Sequence, residues 1–164
     1  MTRLLQTREA HTRGSFIEAQ LDSVSPAART ILPLIGAELW FQSEAVAEDS
    51  TAGRRQTALD LLANWNGEMN EHLPEPLIYA AWLRALQKRL IVDELGPLHE
   101  AFTHVEPLFI ERVFRDVSGA SIWCDVVQSR RMESCEEMSR LALDDALAEL
   151  VETYGSEITA LRWG

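Results

Sequence analysis

The chain has 164 residues, 46% of them hydrophobic and 25% charged, and a formal net charge of −11 from 15 basic and 26 acidic side chains. That length suffices for one domain with a real core, and the composition is wrong for a disordered chain. The acidity repels nucleic-acid backbones and anionic membranes, and no apolar run approaches the roughly 20 residues of a membrane span, so neither partner is expected.

Met1–Leu5 lacks the charged and apolar regions of a signal peptide, and Arg3–Arg8 predicts a short helix. Thr12 is a cap for a second helix, with Phe16, Ile17, Gln20 and Leu21 at helical spacing. Ser25-Pro26 is a strong start signal for a third. Pro33 falls inside that run and predicts a kink or a split, because its ring removes a backbone donor. Ser43–Gly53 reads as a connection with a helical turn at Glu44–Ala47. From Arg54 the helical pattern returns through Ala58, Leu61, Leu62 and Trp65, and Gly67 stops it in the left-handed conformation.

Pro74 or Pro76 opens the next helix, whose residues Leu77, Ile78, Ala81, Trp82, Ala85 and Leu86 form a broad apolar face central to the core. Gly96-Pro97 breaks the chain. A short helix from Pro97 to about Thr103 follows, then a longer one from Pro107 to about Val117, buried through Leu108, Phe109, Val113 and Phe114. Ser118–Arg131 is irregular. The last long helix runs from about Met132 to Tyr154, with a face of Leu143, Leu147, Leu150, Val151 and Tyr154, and Gly155 ends it. Ser156 caps a final turn, Glu157–Leu161. No strand alternation and no internal repeat is present. The expected fold is all-α, an irregular bundle of seven to nine unequal helices in a single domain, 1–164.

Catalytic motifs are scarce. The histidines His11, His72, His99 and His104 are not spaced as zinc ligands on one helix face, so no metal site is expected. There is no GxSxG elbow and no glycine-rich phosphate loop. The acid pairs Glu136-Glu137 and Asp144-Asp145 read as solvated faces, since neighbours on a helix diverge by about 100°. Trp40, Trp65, Trp82 and Trp123 read as core anchors. Trp163 sits where little chain remains to cover it, and both ends read as those of a piece of a longer protein. Cys124 and Cys135 are eleven positions apart. From spacing alone they are either a disulfide closing a short loop or two unrelated thiols.

Several segments, in order, resemble the penicillin acylase family with its acyl-homoserine-lactone and cephalosporin acylase relatives. Phe16–Pro33, FIEAQLDSVSPAARTILP, is similar to the family's FxxxQxDxxSxxAxxLxP. Leu59–Met69, LDLLANWNGEM, is similar to LLxxWDGxM, with Asn66 for the usual aspartate. Tyr79–Leu86, YAAWLRAL, resembles the FxAWxxxL helix, and Asp93-Glu94-Leu95 follows. Trp123-Cys124-Asp125 and Glu133-Ser134-Cys135 resemble the WCDD and ETC motifs before a long helix, although Val126 replaces the second acid. Leu161-Arg162-Trp163-Gly164 resembles WRWG, with leucine for the first tryptophan.

The resemblance implies an N-terminal-nucleophile hydrolase of linear amides, acylated β-lactams or acyl-homoserine lactones, built on a four-layered αββα core. It places this chain as a helical segment of the β-chain, with nucleophile and oxyanion donors elsewhere. No catalytic residue is carried onto this chain, and the isolated chain is expected to be inactive. Thr2, a nominal N-terminal nucleophile if Met1 is removed, matches a helical segment beyond the family's nucleophile and is set aside. The expected partners are the α-chain and the catalytic core of the β-chain. No cofactor is expected in this chain; the resemblance allows calcium in the full-length parent, since several relatives hold it. Because relatives with this cysteine spacing are mostly periplasmic or secreted, the resemblance implies a Cys124–Cys135 disulfide and that location. The competing reading is a complete acidic helical interaction module without enzymatic activity.

Overall fold

The computed structural model describes residues 6, 9–41, 47, 50–102 and 104–163. Among these are six α-helices: α1 (Arg13–Leu21), α2 (Pro26–Ile35), α3 (Thr51–Ala63), α4 (Glu75–Leu95), α5 (Pro107–Phe114) and α6 (Cys135–Tyr154). Short 3₁₀ turns occur at Leu39–Phe41, Gly96–Ala101, Ala120–Cys124 and Ile158–Ala160. The fold is all-α, as the periodicity predicts. Among the described residues β-type pairing is limited to an isolated bridge between Val24 and Glu68.

The helix α4 is the axis of the bundle. Proline at its start needs no backbone donor, Glu75 sits at the positive end of the helix dipole, and a run of strong helix formers follows. Gly96, at φ 50°, ends it. Leu77, Ile78, Ala81, Trp82, Leu86 and Leu90 are all buried. The helix α6 lies along α4, while α3 touches both, and α5 packs on α2 and the 120–124 turn.

The tie between α4, α6 and α2 is polar as well as apolar. Trp82 Nε1 donates to the Ser139 carbonyl at 2.9 Å, and Ser139 Oγ donates to the Ile35 carbonyl at 2.6 Å. Both side chains are fully buried, so each hydrogen bond satisfies a group that water cannot reach. Trp40, Trp65 and Trp123 are partly buried against this core, and Trp163 is 40% exposed.

Several boundaries differ from the sequence expectation. The helix α2 is not split at Pro33 but runs on to Ile35. The break comes at Gly36, where the Trp40 ring lies so close that a Cβ would sit 2.6 Å from it. The helix α3 begins at Thr51, because Ser50 accepts from Gly53 N and caps it there. It ends at Ala63, leaving Trp65 outside, where its Nε1 holds the Glu68 carbonyl at 2.8 Å. Gly67 is left-handed at φ 86° but does not stop the helix, which Asn64 ends; its carbonyl instead accepts from Ser25 N at 2.8 Å.

In α5 the buried face turns on Ile110 and Val113, so Leu108 points outward and is 65% exposed. The helix α6 starts later than expected, at Cys135, because Ser134 caps it through Glu137 N. Tyr154 lies off its buried face and is exposed. Glu157, not Ser156, precedes the final 3₁₀ turn. The count of seven to nine helices resolves into six α-helices and four 3₁₀ turns among the described residues. The expected helix at Arg3–Arg8 and the turn at Glu44–Ala47 lie largely outside those residues, and Thr2 lies wholly outside them.

Candidate functional site: the cysteine-clasped loop

The densest polar constellation is the loop between α5 and α6. Asp116 and Ser118 have left-handed φ of 50° and 62°, a region that costs L residues energy. The Asp116 carboxylate offsets part of this by accepting from Ser121 N at 3.0 Å. That hydrogen bond to the charged form holds the Asp116 carboxyl below the usual aspartate range. Trp123 then stacks edge-on against Phe109, ring centres 5.3 Å apart. The Sγ atoms of Cys124 and Cys135 lie 1.97 Å apart, with Cα atoms at 4.9 Å, which is disulfide distance.

Inside this clasp Glu133 organises the backbone. Its carboxylate accepts from Val126 N at 3.1 Å and from Ser129 Oγ at 2.6 Å. Its own N–H donates to Asp125 Oδ1 at 3.2 Å, and Arg131 approaches the carboxylate at 3.4 Å. Asp93 on α4 accepts from Val127 N at 2.9 Å and moors the loop to the bundle. The Ser129 hydroxyl, followed by the Val126 amide, holds the Glu133 carboxyl below its usual range.

An acid catalyst needs the opposite shift, toward the operating pH. Glu133 therefore acts as a brace. Its stabilisation is fully present above the ordinary glutamate value of about 4.3 and is lost as pH falls through the lower folded value. Glu133→Gln should destabilise the chain at pH 7 relative to wild type, and this difference should shrink at pH 3. Urea midpoints at the two pH values check it. A difference that stays constant with pH would remove the ionised carboxylate from the account.

Other candidates from the sequence disperse. His11 lies beside Ser15, His72 beside Glu71, and His99 over Gly96, while the His104 carbonyl accepts from Gln87. No group of three or more potential metal ligands occurs among the described residues. Asp145 is exposed, as expected, whereas Asp144 is partly buried. Asp144 takes Arg55 of α3 at 2.5 Å, and Asp145 takes Arg89 of α4 at 2.6 Å, so the two neighbours tie α6 to different helices. Burial raises the Asp144 carboxyl above its usual value, and the Arg55 guanidinium opposes that shift without cancelling it.

The sequence reading missed Gln87, Glu133 and Ser139 as polar hubs. Gln87 had a signal: it stands four positions after Leu83 and three before Leu90, on a face that is otherwise apolar.

A sequence model of the penicillin amidase family matches residues 1–164. The chain belongs to the penicillin amidase family. At the level of the family this means an amidase-type hydrolase. No curated protein matches the chain. In this member of the family the cysteine pair at disulfide distance is compatible with an extracytoplasmic location. No helix among the described residues is long and apolar enough to cross a membrane.

Proposed function

We propose that the chain is the helical part of a hydrolase of linear amide C–N bonds, of the acylated β-lactam or acyl-homoserine lactone class. The observation that carries this is the family match over all 164 residues, joined to an architecture that is helical where the family's catalytic core is layered αββα. In this reading residues 1–164 are one helical domain of the parent β-chain. A serine heading that β-chain attacks the amide carbonyl, its own amine takes the proton, and water releases the acid from the acyl-enzyme. The residues described above brace the bundle and do not touch substrate. The Cys124–Cys135 bond, a periplasmic or secreted parent, the α-chain and catalytic core as partners, and calcium held only by the parent belong to the same proposal.

The test is hydrolysis of phenylacetyl and fatty-acyl anilides. The parent should release the arylamine and the purified 164-residue chain should not. Turnover by the isolated chain would overturn the division of labour. A reading frame around this chain without a serine-, threonine- or cysteine-headed strand region would overturn the hydrolase.

A further inference from the structure

The outer face of α4 carries two cations that the chain leaves unused. Arg84 and Lys88 stand one turn apart, both exposed, and neither has a hydrogen-bond or ion-pair partner among the described residues. Among the described residues other cations are engaged, Arg55 and Arg89 on α6, Arg115 on Glu111 and Arg131 on Glu133, while Arg13, Arg112 and Arg130 also stand free but line neither groove described below. Lys88 is also the sole lysine of the sequence.

Beside Arg84 lies a groove of about 430 Å³ whose walls include Met69, Leu83, Val105 and Pro107. In a chain with 26 acidic residues, no carboxylate is among the residues that line it. A second groove of about 200 Å³ meets the first at Arg84 and Val105, reaches Lys88 and Phe102, and holds one carboxylate, Glu100. The shared wall is fixed in place. The buried Gln87 amide donates to the His104 carbonyl at 2.6 Å and accepts from Glu106 N at 2.6 Å, gripping the backbone on either side of Val105. Phe102 and Leu108 leave more than half of their surface open beside it.

Unpaired cations over a fixed apolar groove attract a segment of opposite charge with an apolar side chain to bury. The net charge of the chain does not prevent this, since at physiological salt repulsion fades beyond about 8 Å. We propose that this face docks an acidic amphipathic segment from the remainder of the parent hydrolase, its carboxylates on Arg84 and Lys88 and an apolar side chain in the groove. This rests on the function proposed above and adds which face meets the rest of the enzyme.

The single lysine makes the test specific. Amine acylation with sulfo-N-hydroxysuccinimidyl acetate should label Lys88 in the isolated chain and miss it in the parent. A water-soluble carbodiimide condenses the Lys88 amine with a touching carboxylate and leaves as its urea. In the parent it should give a cross-link from Lys88 to an Asp or Glu outside residues 1–164. Arg84→Glu should leave the melting of the isolated chain unchanged and restore labelling of Lys88 in the parent. Equal labelling in chain and parent, cross-links confined to residues 1–164 or to a second copy, or protection that survives Arg84→Glu would each overturn the proposal. A parent inert toward the anilides would sink the hydrolase reading, while the lysine results would still decide whether this face is covered by other parts of its own protein.

Discussion

Replacing Trp82 by alanine should cost about 3–5 kcal/mol of unfolding free energy, the usual range for a large aromatic removed from a packed core. Trp82 is fully buried on α4, facing α6, and its indole N–H reaches across 57 positions of sequence to the Ser139 carbonyl. The loss has two parts. The larger is the vacated volume, which α4 and α6 cannot fill because Ile78, Leu86 and Leu143 are already packed around the same core. The smaller is the hydrogen bond, worth about 1 kcal/mol net. Trp82→Phe separates them, because it keeps much of the ring volume and removes the donor. Chemical denaturation of both variants should therefore give a graded series, with phenylalanine well above alanine. Alanine with native stability would show that α4 is not the axis of the bundle.

Opening the Cys124–Cys135 link should cost on the order of 3 kcal/mol by the chain-entropy argument for a loop of this length. The sequence separation is 11, and the loop inside it is held mainly by Glu133 and the mooring to Asp93. Without the link, the first turn of α6 keeps its Ser134 cap but loses its covalent tether to the 120–124 turn. Unfolding of the unreduced chain should be shifted down by dithiothreitol, whereas the double variant Cys124→Ala/Cys135→Ala should be insensitive to it. Thiol titration of the unreduced, denatured chain should find no reactive cysteine. Two reactive thiols would refute the bond and remove its support for an extracytoplasmic location.

Much of this fold was legible in the sequence because local signals and burial agree. Ser25-Pro26, Pro74 and Gly96-Pro97 fix helix ends through local cap and backbone chemistry, and the face from Leu77 to Leu86 has a helical period that tertiary packing keeps. The expectations failed where a distant partner decides. Leu108 and Tyr154 sit near apolar stripes, yet the neighbouring elements leave them outside. The Trp40 ring packs so closely on Gly36 that a side chain there would clash, a contact that the spacing alone does not reveal. The ion pair of Arg55 with Asp144 spans 89 positions, so the partial burial of Asp144 could not be read along the chain. The loop site was visible as Trp-Cys-Asp and Glu-Ser-Cys through resemblance, but the inward role of Glu133 depends on how the backbone from Asp125 to Glu133 closes on itself.

The reach from Trp82 to Ser139 bears on biosynthesis. The apolar face of α4 leaves the ribosome before α6, its main cover, has been made. At 5–20 residues per second, the 57 positions between the two residues correspond to a delay of roughly 3–11 s. During that interval the nascent chain displays its stickiest surface to its surroundings. The parent polypeptide should accordingly depend on holding chaperones during translation, and slowed synthesis between Trp82 and Ser139 should lower the yield of soluble protein.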